Sequence, residues 1–230
     1  MSDPDQELQL PQFQEILGRG TQGLEVSLTD ESIPLLYRYF VELKHWSRRV
    51  NLVSKESSDS AIVENHFIDS LALLTVLGRH PPLLLDVGSG AGFPGLVCKA
   101  ARHDLPVCLL EPRLKRVSFL NHIVRTLGLD KISVLALRLE EGLELPDEMN
   151  YTCVVSRAVT RIGGFLSLCS RWRRPGCRVI CMKGPRYTEE IREAGAAMSG
   201  WELTEVKTYR LPFSRASRAL LVFRGRDNGR

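Results

Sequence analysis

One short run constrains this chain more than any other: Leu83-Leu84-Leu85-Asp86-Val87, followed at once by Gly88-Ser89-Gly90-Ala91-Gly92-Phe93-Pro94-Gly95. The first five residues read as a strand buried on both faces, as in parallel sheets. Glycines at alternate positions then form a turn whose backbone, free of Cβ atoms, can approach a ligand. Pro94 suits the first turn of a following helix, where no amide donor is missed. Strand, glycine turn and helix in that order open a doubly wound α/β sheet. Such a sheet binds ligands at the carboxyl ends of its strands, where the strand order reverses.

The alternation continues downstream. Apolar strands are predicted over 83–87, 107–111, 132–137, 151–156 and 177–182, with helices over 94–103, 114–127, 163–172 and 189–199. Two last strands, 202–209 and 219–224, have no helix between them and read as an antiparallel hairpin. Upstream of Leu83 the period is helical. A short helix is expected over 11–17. A stronger one, with Thr29 and Asp30 as N-cap candidates, carries Ile33, Leu36, Tyr37, Phe40, Leu43, Trp46 and Val50. A third starts near Ser58 or Asp59, lines up Ile62, Val63, His66, Phe67, Ser70, Leu71, Leu74 and Leu77, and stops at Gly78 before Pro81-Pro82. Residues 1–80 are thus read as a helical cap and 81–230 as the sheet domain, packed as one globular unit.

The glycine spacing bears on the ligand. A dinucleotide fingerprint is G-x-G-x-x-G, and a P-loop is G-x-x-x-x-G-K-[ST]. Here the third glycine comes early, at Gly92, and Phe93 holds the place of the dinucleotide pattern's last glycine. Glu111 ends the second strand, 21 residues after Gly90, where a carboxylate can accept both hydroxyls of an adenosine ribose and would repel a phosphorylated one. Asp86, Gly88, Gly90, Gly92, Phe93 and Glu111 are therefore candidate cofactor residues, and the spacing points to S-adenosylmethionine more than to NAD. Leu139 and Glu140, after the third strand, are candidates for the adenine face and edge. The expected architecture is α/β: the Rossmann-like sheet of class I S-adenosylmethionine-dependent methyltransferases, mostly parallel with a C-terminal antiparallel hairpin.

After the fourth strand comes Ser156-Arg157-Ala158, in the loop that faces the transferred group in this fold. It holds no D-P-P-Y or N-P-P-Y for an exocyclic amine, no Pro-Cys pair for a pyrimidine carbon, and no aspartate cluster for magnesium. An acceptor with a free lone pair needs none of these. Guanine N7 is such an atom, and methyl transfer to it requires alignment and exclusion of water more than a base. Arg157 is the candidate positioning residue, for a methionyl carboxylate or a target phosphate.

Bulk properties fit a folded protein, with 43% hydrophobic and 25% charged residues and a net charge of +4. Met1 to Gln9 do not read as a signal peptide, and no apolar run approaches the ~18 residues of a membrane span. The six cysteines form no C-x-x-C, and no histidine pair follows Cys177 and Cys181. Buried free thiols in a reducing compartment, and no metal, are expected. Basic and aromatic residues gather around Lys44-His45-Trp46-Ser47-Arg48-Arg49, Arg113 to Arg116, Arg171 to Arg174, Lys183 with Arg186, and Arg210, Arg215 and Arg218. Together they suit phosphate contact and base stacking. Trp46 is read as core, and His66 as a satisfied core histidine.

The chain also resembles a known family. Trp46-Ser47-Arg48-Arg49-Val50-Asn51-Leu52-Val53-Ser54, His66-Phe67-Ile68-Asp69-Ser70-Leu71, Asp86 through Gly95, Leu109-Leu110-Glu111 with Lys115-Arg116-Val117-Ser118-Phe119-Leu120, Arg138-Leu139-Glu140-Glu141, Val155-Ser156-Arg157-Ala158 and Met182-Lys183-Gly184 are similar to the motifs of the bacterial 16S rRNA guanine-N7 methyltransferases of the RsmG, or glucose-inhibited division protein B, family. They fall in family order across about residues 30–225. The resemblance implies a cytoplasmic enzyme acting on a guanine in the decoding-region stem-loop of 16S rRNA, with the rRNA or the small ribosomal subunit as partner; separately, a monomer is expected. Its cofactor site would use Gly88, Phe93, Leu139, Glu140 and Arg157. Glu111 stands where the family usually has Asp, Asn65 where it commonly has Arg, and Asn51-Leu52-Val53-Ser54 departs from its Asn-Leu-Thr. Still open are a methyltransferase for a small molecule or a protein, an NAD-dependent oxidoreductase, and a non-catalytic RNA-binding assembly factor.

Overall fold

The strand Leu84–Val87 (β1) is buried along its whole length because it lies at the centre of one sheet. Its partners are β2 (Val107–Leu110), β3 (Ile132–Leu135), β4 (Cys153–Arg157), β5 (Arg178–Lys183), β6 (Trp201–Arg210) and β7 (Ser217–Gly225), in the order β3-β2-β1-β4-β5-β7-β6. The computed structural model describes residues 8–54, 56–140, 144–145 and 150–226. β1 pairs in parallel with both β2 and β4, so the order reverses beside β1 and leaves a crevice at its carboxyl end. β7 runs antiparallel to β5 and β6, which is the expected hairpin. Because Lys183 pairs with Ala219, and Ala219 with Thr208, the hairpin tip lies on the same sheet edge as the ends of the parallel strands.

The helices are α1 (Leu10–Gly23), α2 (Ser32–Ser47), α3 (Asp59–Ile62), α4 (Asp69–Leu71), α5 (Leu74–Leu77), α6 (Gly95–Ala101), α7 (Leu114–Thr126), α8 (Ile162–Leu168) and α9 (Tyr187–Ala194). One core joins α1 to α7 to one sheet face, through Phe13, Leu17, Leu36, Phe40, Phe67, Leu96, Leu109 and Phe119. A second core lies on the other face, where Phe165, Leu166 and Trp172 meet Leu85, Val154 and Val179. Each such side chain, fully buried, contributes roughly 1.5–3 kcal/mol of transfer free energy. All six cysteines are buried free thiols.

The structure corrects the sequence reading of the third helix. Between α3 and α4 the chain is π-helical over Val63–Ile68, and the stretch Asp59–Leu77 is not uniform. By length and composition alone it passes for a membrane span, with a mean hydropathy of 1.3, although Glu64 and Asp69 interrupt its apolar residues. Its apolar side chains pack inward, leaving the segment 67% buried. Strand and helix ends shift as well. β4 runs on to Arg157, which pairs with Met182, and α1 is twice the expected length because Phe13, Leu17, Gly20 and Thr21 are all buried against the cap.

Candidate active site

The glycine turn after β1 is held from below. Gly88 and Ser89 amides donate to the Leu110 carbonyl at 2.8 and 3.0 Å, and Gly92 and Phe93 amides to the Ser89 carbonyl at 2.7 and 2.9 Å. Gly88, Gly90 and Gly92 have φ of +70°, +61° and +97°, a region costly for residues with a Cβ. The three differ in what surrounds them. A Cβ on Gly92 would strike the Tyr39 hydroxyl and Leu96, and one on Gly88 would strike Val159. At Gly90 the nearest atom is Nη1 of Arg116, 3.7 Å away. Gly90 therefore lines open space, whereas Gly92 is glycine for packing.

Asp86 is fully buried beneath this turn. Its Oδ2 accepts the Gly95 amide at 2.8 Å, tying β1 to the start of α6. Its Oδ1 is buried without a hydrogen-bond partner. Burial raises its pKa to about 7, against the lowering effect of the Gly95 amide and Ser89. Asp86 thus supports the turn from its interior side.

Glu111 closes the turn from β2. Although only 3% exposed, it accepts the Gly90 amide on Oε2 and the Arg113 amide on Oε1, both at 2.9 Å. Nη1 of Arg116 lies 3.9 Å from Oε2, while Nη2 donates to the Asn51 carbonyl at 3.3 Å. Residues far apart in sequence thus meet around one carboxylate. An acid fixed beside an open, left-handed glycine suits the ribose end of an adenosine cofactor, and the unpartnered Asp86 oxygen leaves polar capacity under the same turn.

Arg157, at the end of β4, faces the π-helical segment. Nη1 donates to the Asn65 carbonyl at 2.8 Å and to Oδ2 of Asp69 at 3.2 Å. Nη2 lies 3.1 Å from Nδ1 of His66. A guanidinium only donates, so His66 accepts there and carries its proton on Nε2. Burial and then Arg157 push the His66 pKa down to about 3. Phe93, 5% exposed, stacks on His66 with ring centroids 4.8 Å apart and on Tyr39 at 5.9 Å. The Arg157 guanidinium carbon sits 5.1 Å from the Phe93 centroid. His66 is therefore a satisfied, neutral histidine, as expected, but one bound to a candidate site residue.

Glu64 is a functional candidate outside the motifs read from the sequence, and Asp69, within the His66–Leu71 motif, carried no assigned role there. Asp69 receives, besides Arg157, the Tyr209 hydroxyl at 2.8 Å and approaches Nε of Arg218 at 3.4 Å. Glu64 accepts the amides of Phe213 and Ser214 at 2.6 and 2.9 Å. Two acids inside an apolar helical stretch were the available signal. In an α-helix, at about 100° per residue, positions five apart point roughly 140° away from each other. The i→i+5 bonding of the π segment, with the Asp69 amide donating to the Glu64 carbonyl, brings them to one side.

Leu139 lies elsewhere, buried in the second core. Glu140 is exposed, and its carbonyl accepts from Arg171 at 3.3 Å. Glu141 lies outside the described residues. Trp46 is half-buried against Phe119 and His122. Among the described residues no group of three His, Cys, Asp or Glu side chains could hold a metal. A cavity of about 760 Å³ is lined by residues such as Glu25, Thr75, His103 and Lys207, and no residue of the glycine turn is among them. It lies against the loop from α6 to β2, through Arg102, His103 and Asp104.

A reversed-order sheet with an antiparallel β7, a glycine turn after β1 and an acid after β2 together define a class I S-adenosylmethionine-dependent methyltransferase. Solved structures share this fold: a mutant of MtNAS in complex with S-adenosylmethionine aligns with a TM-score of 0.53 at 15% identity, covering 97% of this chain and 86% of that one. Within that class the chain belongs to the GidB family, described as rRNA small subunit methyltransferase G, whose model matches residues 32–221. It is 47% identical to the ribosomal RNA small subunit methyltransferase G of Desulfotalea psychrophila, over 92% of this chain and 98% of the relative. It is 34% identical to the protein of that name from Syntrophus aciditrophicus, over 87% and 84%.

Proposed function

We propose that this chain methylates N7 of a guanine in the decoding-region stem-loop of 16S rRNA, acting as a cytoplasmic monomer on the small-subunit RNA or particle. The cofactor supplies the methyl group from its sulfonium centre. The observation that carries the acceptor assignment is the state of the groups beside Arg157. Asp69 is occupied by Arg157, Tyr209 and Arg218, and His66 accepts from Arg157 and is far below its usual pKa. Neither is poised to take a proton. This suits an acceptor that already carries a lone pair, as guanine N7 does, and leaves the protein the work of alignment.

In this reading Gly90 gives the cofactor room, Gly88 borders it through its backbone beside Val159, Glu111 takes the ribose hydroxyls, and Arg157 orients the methionyl carboxylate or an RNA phosphate. Asp86, Gly92 and Phe93 hold the turn in shape from inside. Glu140, exposed in the loop after β3, is the residue placed to reach the adenine edge, while Leu139 anchors that loop in the second core. The cap, residues 1–80, and the sheet domain, residues 81–230, act as one unit, since α1 to α5 and the sheet share a core.

The test is to map N7-methylguanosine in rRNA by borohydride–aniline cleavage, with and without the gene. A decoding-region cleavage that disappears with the gene and returns with purified protein and S-adenosylmethionine is expected. An unchanged pattern would remove the assignment.

A further inference from the structure

The tip of the β6–β7 hairpin, residues 211–216, is built unlike a passive turn. Among the large hydrophobic side chains exposed on the described surface is Phe213, 37% exposed. The Arg19 guanidinium carbon lies 5.0 Å from its ring centroid. Arg215, also exposed, has a left-handed φ of +57°. No acid occurs from Val206 through Arg226, a stretch that holds Lys207, Arg210, Arg215, Arg218, Arg224 and Arg226. The acid that reaches the tip, Glu64, is 3% exposed. It spends both oxygens on the amides of Phe213 and Ser214, Oε2 accepting from Ser214 at 3.2 Å. A buried carboxylate on the π segment thus fixes the loop that presents an exposed ring among arginines.

That segment also touches the active site. Asn65, next to Glu64, gives its carbonyl to Arg157, and Asp69 holds Arg157 and Arg218 together. Gly20 of α1 lets that helix pack against Ile68, where a Cβ would collide, and this packing brings Arg19 to Phe213. The tip is therefore rigidly referenced to Arg157 through one helical turn.

We propose that the hairpin tip is an RNA-gripping element, in which Phe213 stacks on an unpaired base of the substrate while Arg215, with Arg19 and Arg210, contacts flanking phosphates. The proposal rests on the reading of the chain as an rRNA methyltransferase. An aromatic ring backed by guanidinium groups suits a splayed-out base of a looped RNA, and the uniform positive charge suits its backbone.

The experiment uses the full-length protein with Phe213→Ala, Phe213→Trp, Arg215→Ala and Glu64→Gln. Binding is measured to deproteinised small-subunit rRNA and to intact small subunits, both from cells lacking the gene, and to S-adenosylmethionine by calorimetry. Phe213→Ala is expected to weaken RNA binding and raise the RNA KM roughly five- to hundredfold, with cofactor affinity unchanged. Phe213→Trp should retain binding. Arg215→Ala should lower the slope of log K against log salt by about one. Glu64→Gln, which keeps one acceptor oxygen, should give a smaller KM rise in the same direction. Wild-type RNA affinity and KM in Phe213→Ala would overturn the proposal. So would a loss confined to intact subunits, which would assign the tip to a ribosomal protein. If instead the wild-type protein methylates neither RNA, the underlying reading fails, which the wild-type control reveals by itself.

Discussion

Asp69 holds Arg157 through a 3.2 Å hydrogen bond across 88 residues of sequence, while the same carboxylate takes the Tyr209 hydroxyl on its other oxygen. The pair joins the π-helical segment of the cap to the end of β4, and through Tyr209 to the hairpin. Arg157 is thereby fixed in position from outside its own loop.

Arg157→Lys should preserve the fold and impair transfer. A lysine cannot reproduce the fork that reaches Asn65, Asp69 and His66 at once. We expect kcat to fall roughly a hundredfold, the scale of a misplaced positioning group. Combined with Asp69→Asn in a double-mutant cycle, the two should couple by about 0.5–3 kcal/mol. Strict additivity in methyl transfer would show that Asp69 does not act through Arg157.

The glycines of the turn should separate by phenotype. Gly90→Ala meets open space and pays only for its left-handed backbone, about 1–2 kcal/mol, so the protein should fold while losing affinity for S-adenosylmethionine. Gly92→Ala adds a collision with Tyr39 and with Leu96, whose Cβ would be 2.8 Å away, for a total of about 2–5 kcal/mol. Urea unfolding with calorimetry distinguishes them. Unaltered cofactor affinity in folded Gly90→Ala would mean that the cofactor lies elsewhere.

Asp86 should make the fold less stable as pH rises. Its pKa is raised by burial to about 7 in the folded chain, above its value near 4 when unfolded. Between those values the folded state binds the proton that the unfolded state has released. Stability therefore falls from about pH 4 to about pH 7 and is flat above. Asp86→Asn, which keeps an oxygen for the Gly95 amide, should remove this component and gain on the wild type as pH rises. Parallel urea midpoints for the two proteins from pH 5 to pH 8 would contradict it.

His66 should stay neutral throughout the working range. Its folded pKa of about 3 lies below its unfolded value near 6.5, so its contribution to stability is complete above 6.5 and drains away as pH falls towards 3. The His66 Cε1 proton resonance should not titrate between pH 8 and pH 5. A midpoint near 6.5 would mean that the contact with Arg157 does not persist in solution.

How much of this was legible beforehand depended on the range of the interactions. The order of strands and helices followed from local periodicity and from glycine and proline signals, as at Gly78 and Pro94. The glycine turn and Glu111 stood out because a ligand-facing loop has to be built from contiguous residues or fixed strand ends. Gly90 and Gly92 looked alike in sequence and differ in structure, because only packing reveals that Tyr39 stands over one and not the other.

By itself, then, the sequence determined the doubly wound sheet, the hairpin, the glycine turn and the family motifs, all written in short-range patterns of apolar residues and backbone freedom. Only the tertiary structure decided what Arg157, Asp86 and Glu111 touch, and that Glu64 and Asp69 belong with them. Arg157 meets residues 88 to 92 positions away, and the two acids share a face only because the helix between them opens into a π turn. Those relations depend on the register of a helix against a sheet, which packing fixes and local sequence does not encode.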